Sequence, residues 1–149
     1  MGVSIGRLVR DRLVNDATIR GFFTGVATTA TASLFVGPVF MEQTAIYPRI
    51  TYSESFGATD PGMSGSNGRI TFSIETQATG GVNPHSTLEL INERVDQLFD
   101  DQLQTGLAIS GTSVYSYLMI RDGGPGTIYN ENRKTYERFV DFSYKVFKY

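Results

Sequence analysis

One long amphipathic helix set among alternating strands constrains this chain more than any other feature. Leu88, Ile91, Val95, Leu98 and Phe99 recur at helical spacing and form one continuous apolar stripe. The spacing predicts a helix over about 84–103. Either Asn83-Pro84 opens it, or Ser86 caps it with Glu89 completing a capping box. A helix with one apolar stripe has to bury that stripe, and the strand-like segments on both sides supply a sheet to bury it against.

Those segments read in order. Ile5, Leu8, Val9 and Leu13 follow helical spacing, with Arg7, Arg10 and Asp11 elsewhere on the wheel. Asp16 precedes Ala17-Thr18-Ile19 as an N-cap for a short second turn that ends near Gly21 or Gly25. Residues 24–33 are nearly all Thr, Ala, Gly and Ser, a composition that suits an extended or mobile arm better than a helix. Leu34 to Val36 and Val39 to Met41 flank Gly37-Pro38. A proline cannot donate to a ladder, so this is an edge strand or a bend. Tyr47 to Ser53 alternates after its proline, and Ile70, Phe72 and Ile74 alternate with Thr71, Ser73 and Glu75. Between these two strands, residues 57–68 hold four glycines and a proline, the tip of a long hairpin.

Beyond the long helix, Leu107 to Ile109 reads as a short strand and Val114 to Arg121 as a second. Asp122 to Gly126 breaks the chain, and a polar connection continues through Lys134. The last strand runs from about Tyr136 to Tyr149. Val140, Phe142, Tyr144 and Val146 point one way, with Asp141, Ser143 and Lys145 opposite. The expected fold is α+β: a single domain over residues 1–149, mainly an antiparallel β-sheet with the N-terminal and long central helices packed on one face. A chain of 149 residues buries roughly 68–70% of its unfolded surface, enough for a core without disulfide or metal support.

The catalytic vocabulary is thin. With no cysteine there is no disulfide framework, thiol nucleophile or thiolate metal site. The one histidine, His85, stands beside Pro84 at a helix start, without a nucleophile or further ligands nearby in sequence. Gly62, Gly65 and Gly68 match neither a Walker loop nor a dinucleotide fingerprint, because strand residues follow where a helix N-terminus is required. Asp100 and Asp101 are adjacent and diverge around a helix, and no calcium-loop pattern is present. The reading is of a chain with no catalytic residue, cofactor site or metal site. The formal charge of −2 and isoelectric point near 5.3 supply no general attraction to nucleic acid. Most of its eight tyrosines and ten phenylalanines alternate within strands, where they are ordinary core and cross-strand residues. No apolar run approaches the roughly 20 residues of a membrane-spanning helix, and Arg7, Arg10 and Asp11 interrupt any signal-peptide core. The expectation is a soluble protein used inside a cell.

What remains are surfaces. Glu89, Glu93, Asp96 and Asp100 line one face of the long helix, and Arg94 is the only basic residue there. The face is either simply solvated or a patch that meets a basic partner. Asp60, Met63 and Asn67, in the hairpin tip, are candidates to order against a partner.

Taken in order, these segments resemble the tail-completion, or tail-terminator, family of tailed bacteriophages. The likeness is carried by Arg12-Leu13 followed by Asp16, by the proline-led strand at 47–53, and by the strand ending in paired glycines at 70–81. The helix at 86–101 and the closing pair at 117–124 and 137–146 complete it. The resemblance implies a structural protein of the virion tail or neck, assembled in the host cytoplasm. It implies self-association into a ring, typically a hexamer, that caps the tail tube and takes part in head–tail joining. Its partners would be the tail-tube protein and a head-side connector, with no membrane and no sequence-specific nucleic acid. Another neck or connector protein, or a tail-tube subunit, is the alternative.

Overall fold

The computed structural model describes residues 5–22, 36–38, 48–59, 65–77, 83–110, 113–124, 126–132 and 134–148. The expected arm at 24–33, the strand at 39–41, and Asp60 and Met63 of the hairpin tip lie outside the described residues. The elements are α1 (Gly6–Asn15), α2 (Ala17–Phe22), β1 (Val36–Pro38), β2 (Arg49–Thr59), β3 (Gly65–Gln77), α3 (Pro84–Phe99), β4 (Gln102–Ser110), β5 (Ser113–Arg121), β6 (Thr127–Asn130) and β7 (Thr135–Lys148).

The strands form one sheet in the order β1-β2-β3-β7-β5-β4, with β6 pairing beside β5 on the same side of β7. Every pairing is antiparallel except that of β1, which runs parallel to β2 at the edge. Pro38 is the last residue of that edge strand, where its missing N–H costs the sheet nothing. Helices and sheet make an α+β fold with the helices on one face.

Register decides which residues meet the helices. Ile70, Phe72 and Ile74 of β3 stand beside Phe142, Val140 and Arg138 of β7, and Tyr117 and Met119 of β5 stand beside Val146 and Tyr144. All of these except Arg138 join Ile5, Val9 and Leu13 of α1, Ile19 of α2, and Leu88, Ile91, Val95, Leu98 and Phe99 of α3 in one buried core. At its centre Phe72 stacks on Phe99 with ring centroids 5.6 Å apart, and Phe142 meets both edge-on at 5.8 and 6.2 Å. Such geometry adds about 0.5–1.5 kcal/mol per pair beyond burial.

Local chemistry explains the helix boundaries. Asn83 caps α3, its side chain accepting the N–H groups of His85 (3.0 Å) and Ser86 (3.4 Å), with Pro84 at the first position. Of the two expected openings, this is the first; Ser86 lies inside the helix and Glu89 reaches the sheet instead. Thr76 Oγ1 donates to the Pro84 carbonyl at 2.8 Å, pinning the helix start to the end of β3. The helix stops at Phe99, short of the expected 103. Asp100 turns extended, its carboxylate accepts the Arg121 N–H of β5 at 2.8 Å, and Asp101 adopts φ +56° while its own N–H donates to the Met119 carbonyl. Aspartate tolerates that left-handed conformation, and the turn launches β4 five residues earlier than the expected strand at 107.

The hairpin is also tighter than its glycines suggest. β2 continues to Thr59 and β3 begins at Gly65, so pairing enters the predicted loop from both sides, with an irregularity between Phe56 and Thr59. The ladder from β3 to β7 overrides weak strand propensity here. Gly68 stands opposite Tyr144, and a Cβ at Gly68 would overlap the tyrosine ring. The ring's hydroxyl donates to Glu54 Oε2 at 3.2 Å, which also accepts the N–H of Ile5 at the start of α1. Glu54 thus brings negative charge to the positive end of that helix. Gly6 leaves the space that the carboxylate and the Tyr52 ring occupy. Strand β6, absent from the sequence reading, forms because Thr127 to Asn130 pairs with the first residues of β7.

Candidate assembly surface

At about 100° per residue, Glu89, Glu93, Asp96 and Asp100 share one side of α3, as their spacing predicted. The structure gives three of them partners within the chain. Arg138 of β7 donates to Glu89 at 2.6 Å, and Arg121 of β5 donates to Asp96. Asp100 holds the Arg121 backbone. Arg121 also donates through Nε to the Gly123 carbonyl at 2.8 Å, and its guanidinium lies 5.9 Å from the Phe142 ring centroid. One arginine therefore ties the end of α3, the end of β5 and the following turn together. In that turn Gly123 and Gly124 take φ values of +88° and +136°, and Gly124 lies against the Phe139 carbonyl where no side chain fits. Glu93 remains exposed on the outer surface, as does Asp101 beyond the helix end.

The opposite side of α3 is bound to the α1–α2 junction. Asp16 caps α2, with Oδ2 accepting the Ile19 N–H at 2.9 Å, as its position before Ala17 implied. The same carboxylate takes a two-pronged contact from Arg94, Nε at 3.0 Å and Nη2 at 2.6 Å. The Arg94 guanidinium, with help from the Ile19 amide, holds the Asp16 carboxyl below its usual range against the opposing effect of burial. Arg20 closes the other end of the junction by donating to the Val14 carbonyl at 3.1 Å.

The sheet face away from the helices is polar at its centre. Arg49 and Glu75 sit directly opposite each other and form a two-pronged ion pair (3.0 and 3.2 Å) with side chains only 14% and 7% exposed. Thr71 donates to Asp141 at 2.6 Å. Asp122 accepts from both Arg69 and Ser143, and the Arg69 contact lowers its pKa. Asn67 lies on this face opposite Lys145, half-exposed. Leu103 of β4 and Ile120 of β5 are about half-exposed on the same face.

His85 is exposed, its ring edge-on to Tyr136 at 6.0 Å, and Tyr136 in turn packs on the exposed Tyr129 at 5.0 Å. Among the described residues no group of three His, Asp or Glu side chains is placed to hold a metal ion, and no helix is long and apolar enough to cross a membrane. Neither Glu54 nor the Arg121 clamp was legible in the sequence. Their only signals were a carboxylate inside a strand and an arginine at a strand end.

No family model matches this sequence, and no curated protein does. Among solved structures, the fold is shared with a chain from the virion of a native gene transfer agent particle. The TM-score is 0.65 at 14% identity, over 95% of this chain and 92% of that one. The likeness is one of fold along nearly the whole length of both chains.

Proposed function

We propose that this chain is a structural component of a phage-like virion, and that within it the chain acts as a tail terminator. In this reading copies associate into a ring, typically of six, that caps the tail tube and takes part in joining tail to head. The tail-tube protein and a head-side connector are its partners, and the chain performs no catalysis. The observation that carries the proposal is the end-to-end fold likeness to a virion chain. The order of helices and strands that resembles the tail-terminator family supports the finer assignment. Asp60, Met63 and Asn67, with the acidic side of α3 at Glu89, Glu93, Asp96 and Asp100, are the proposed contact residues. Three of these acids are already bound to the sheet, so their part in contact is to shape a fixed negative surface.

Electron microscopy of particles assembled without this chain tests the proposal. Overlong tails detached from filled heads are the expected result. Heads with no tail tubes would identify a tube subunit instead, and normal joined particles would overturn the structural role. Removing residues 60–64 while retaining the fold is expected to impair assembly. Unchanged assembly would remove the hairpin tip from the contact set.

A further inference from the structure

A head-to-tail contact that closes into a ring needs two different surfaces on each molecule, one for each neighbour. The helix layer of this fold carries two such surfaces of opposite sign. α1 packs over β1 and β2, at one edge of the sheet. Its Arg10 and Asp11 both lie near Tyr52 of β2, and with Arg7 and Arg12 the helix keeps a net positive charge. Arg7, on the outer side of the same helix, is exposed, and no ion pair or side-chain hydrogen bond joins it to the other described residues.

The other surface lies toward the opposite edge. α3 packs over β3, β7 and β5, and turns Arg94 back toward Asp16 at the α1–α2 junction. Its acidic side faces the other way, toward β5, as the Asp96–Arg121 pair fixes. Glu93 is exposed on the outer crest of α3 next to that side and Asp101 just beyond the helix end, and neither has a side-chain partner among the described residues. On edge strand β4, Leu103 is 56% exposed on the sheet face away from the helices. The strand order places β1 and β4 at the two ends of the sheet. Copies set side by side in the same sense therefore bring the α1 edge of one to the α3–β4 edge of the next. A symmetric contact between two α3 edges would instead set acid against acid, which is repulsive.

We infer that, in the ring proposed above, the basic flank of α1 docks against the acidic flank of α3 on the neighbouring copy, with Arg7 facing Glu93 and Asp101. The inference rests on the ring reading and names the surfaces that close it. The charges set the pairing direction and make association weaken with salt.

The absence of cysteine permits a direct test. Arg7→Cys and Glu93→Cys variants are prepared separately, checked for unchanged circular dichroism, and oxidised alone and mixed. The expected result is a disulfide-linked band at twice the 16.4 kDa chain mass in the mixture and not in either variant alone. A chain carrying both cysteines is expected to give a ladder ending at the ring. Arg7→Glu and Glu93→Arg are each expected to weaken self-association at least tenfold at low salt, and the two together to restore it. Stronger linking of either variant to itself than in the mixture overturns the proposal in favour of a symmetric contact. No link in the mixture, with light scattering showing an oligomer, overturns this interface and leaves the ring intact. No link and a monomer at every concentration overturns this interface, and electron microscopy of particles assembled without the chain then decides the ring.

Discussion

Replacing Asp16 with alanine removes two functions of one carboxylate, and the structure allows each to be given a magnitude. The first is the N-cap on α2, the 2.9 Å bond from the Ile19 amide; losing a cap of this kind costs about 1 kcal/mol. The second is the contact with Arg94. Asp16 is 11% exposed and Arg94 is 30% exposed, so Arg94 is partly rehydrated after the change and keeps its 3.0 Å bond to Gln97. That places the loss near the low end for charge-assisted bonds, about 1.5 kcal/mol. The sum is about 2.5 kcal/mol, a fall in Tm of about 5–10 °C for a domain of this size. Asp16→Asn keeps a good cap and loses the charge, so it is expected to cost about 1.5 kcal/mol. Urea titration at pH 7 measures both. A loss below about 0.5 kcal/mol for Asp16→Ala refutes the reasoning, and equal losses for the two variants refute the capping part.

The same site fixes a pH dependence. Arg94 lowers the folded pKa of Asp16 below 3.8, so its contribution is fully present above that unfolded value. It is lost as pH falls through the folded value. The gap between wild type and Asp16→Ala is expected to narrow as pH falls from 5 to 3.

Three further outcomes follow from other parts of the fold. Glu75→Gln removes the carboxylate charge that faces the nearly buried Arg49 and is expected to cost about 2–3 kcal/mol, whereas Arg49→Met with Glu75→Leu costs much less; urea midpoints compare them. Gly68→Ala forces the Tyr144 ring aside, at about 1–3 kcal/mol, and a double-mutant cycle with Tyr144→Leu is expected to show a smaller cost than in wild type; additive losses would refute the contact. At the alkaline end, burial pushes Tyr117 from 10.0 up to about 12 and raises Tyr144, where the Glu54 carboxylate adds to burial. Because both are raised, their contribution is present below pH 10 and is lost as pH climbs toward the folded values. For Tyr117 that loss is on the order of 2–3 kcal/mol, and Tyr117→Phe is expected to flatten the decline in urea midpoint between pH 10 and 12.

How much of this was legible beforehand depended on the range of the interaction. Leu88 to Phe99 declared α3 because a helix imposes its period on neighbours a few residues apart, and Asn83-Pro84 marked its start by the same local chemistry. Asp16 announced its cap on α2, and Ile70 to Ile74 and Val140 to Val146 announced β3 and β7 through their alternation. The helix face of the sheet could be read for the same reason. The acidic side of α3 was legible as a row of carboxylates, but not the arginines that bind it.

Those partners belong to tertiary structure. Glu89 meets Arg138 across 49 positions, Asp96 meets Arg121 across 25, and Asp16 meets Arg94 across 78. None of these pairs exists until strand register is set. The end of α3 at Phe99, the extra length of β2 and β3, and the existence of β6 follow the same rule, because each depends on bonds from a distant strand. Periodicity and capping are properties of adjacent residues, so the sequence alone determined the type of each strongly periodic segment and which side of it was apolar. Where a strand stops, which charges are already bound and which remain exposed for a neighbour depend on ladder pairing between segments far apart in the chain, and only the folded sheet decided them.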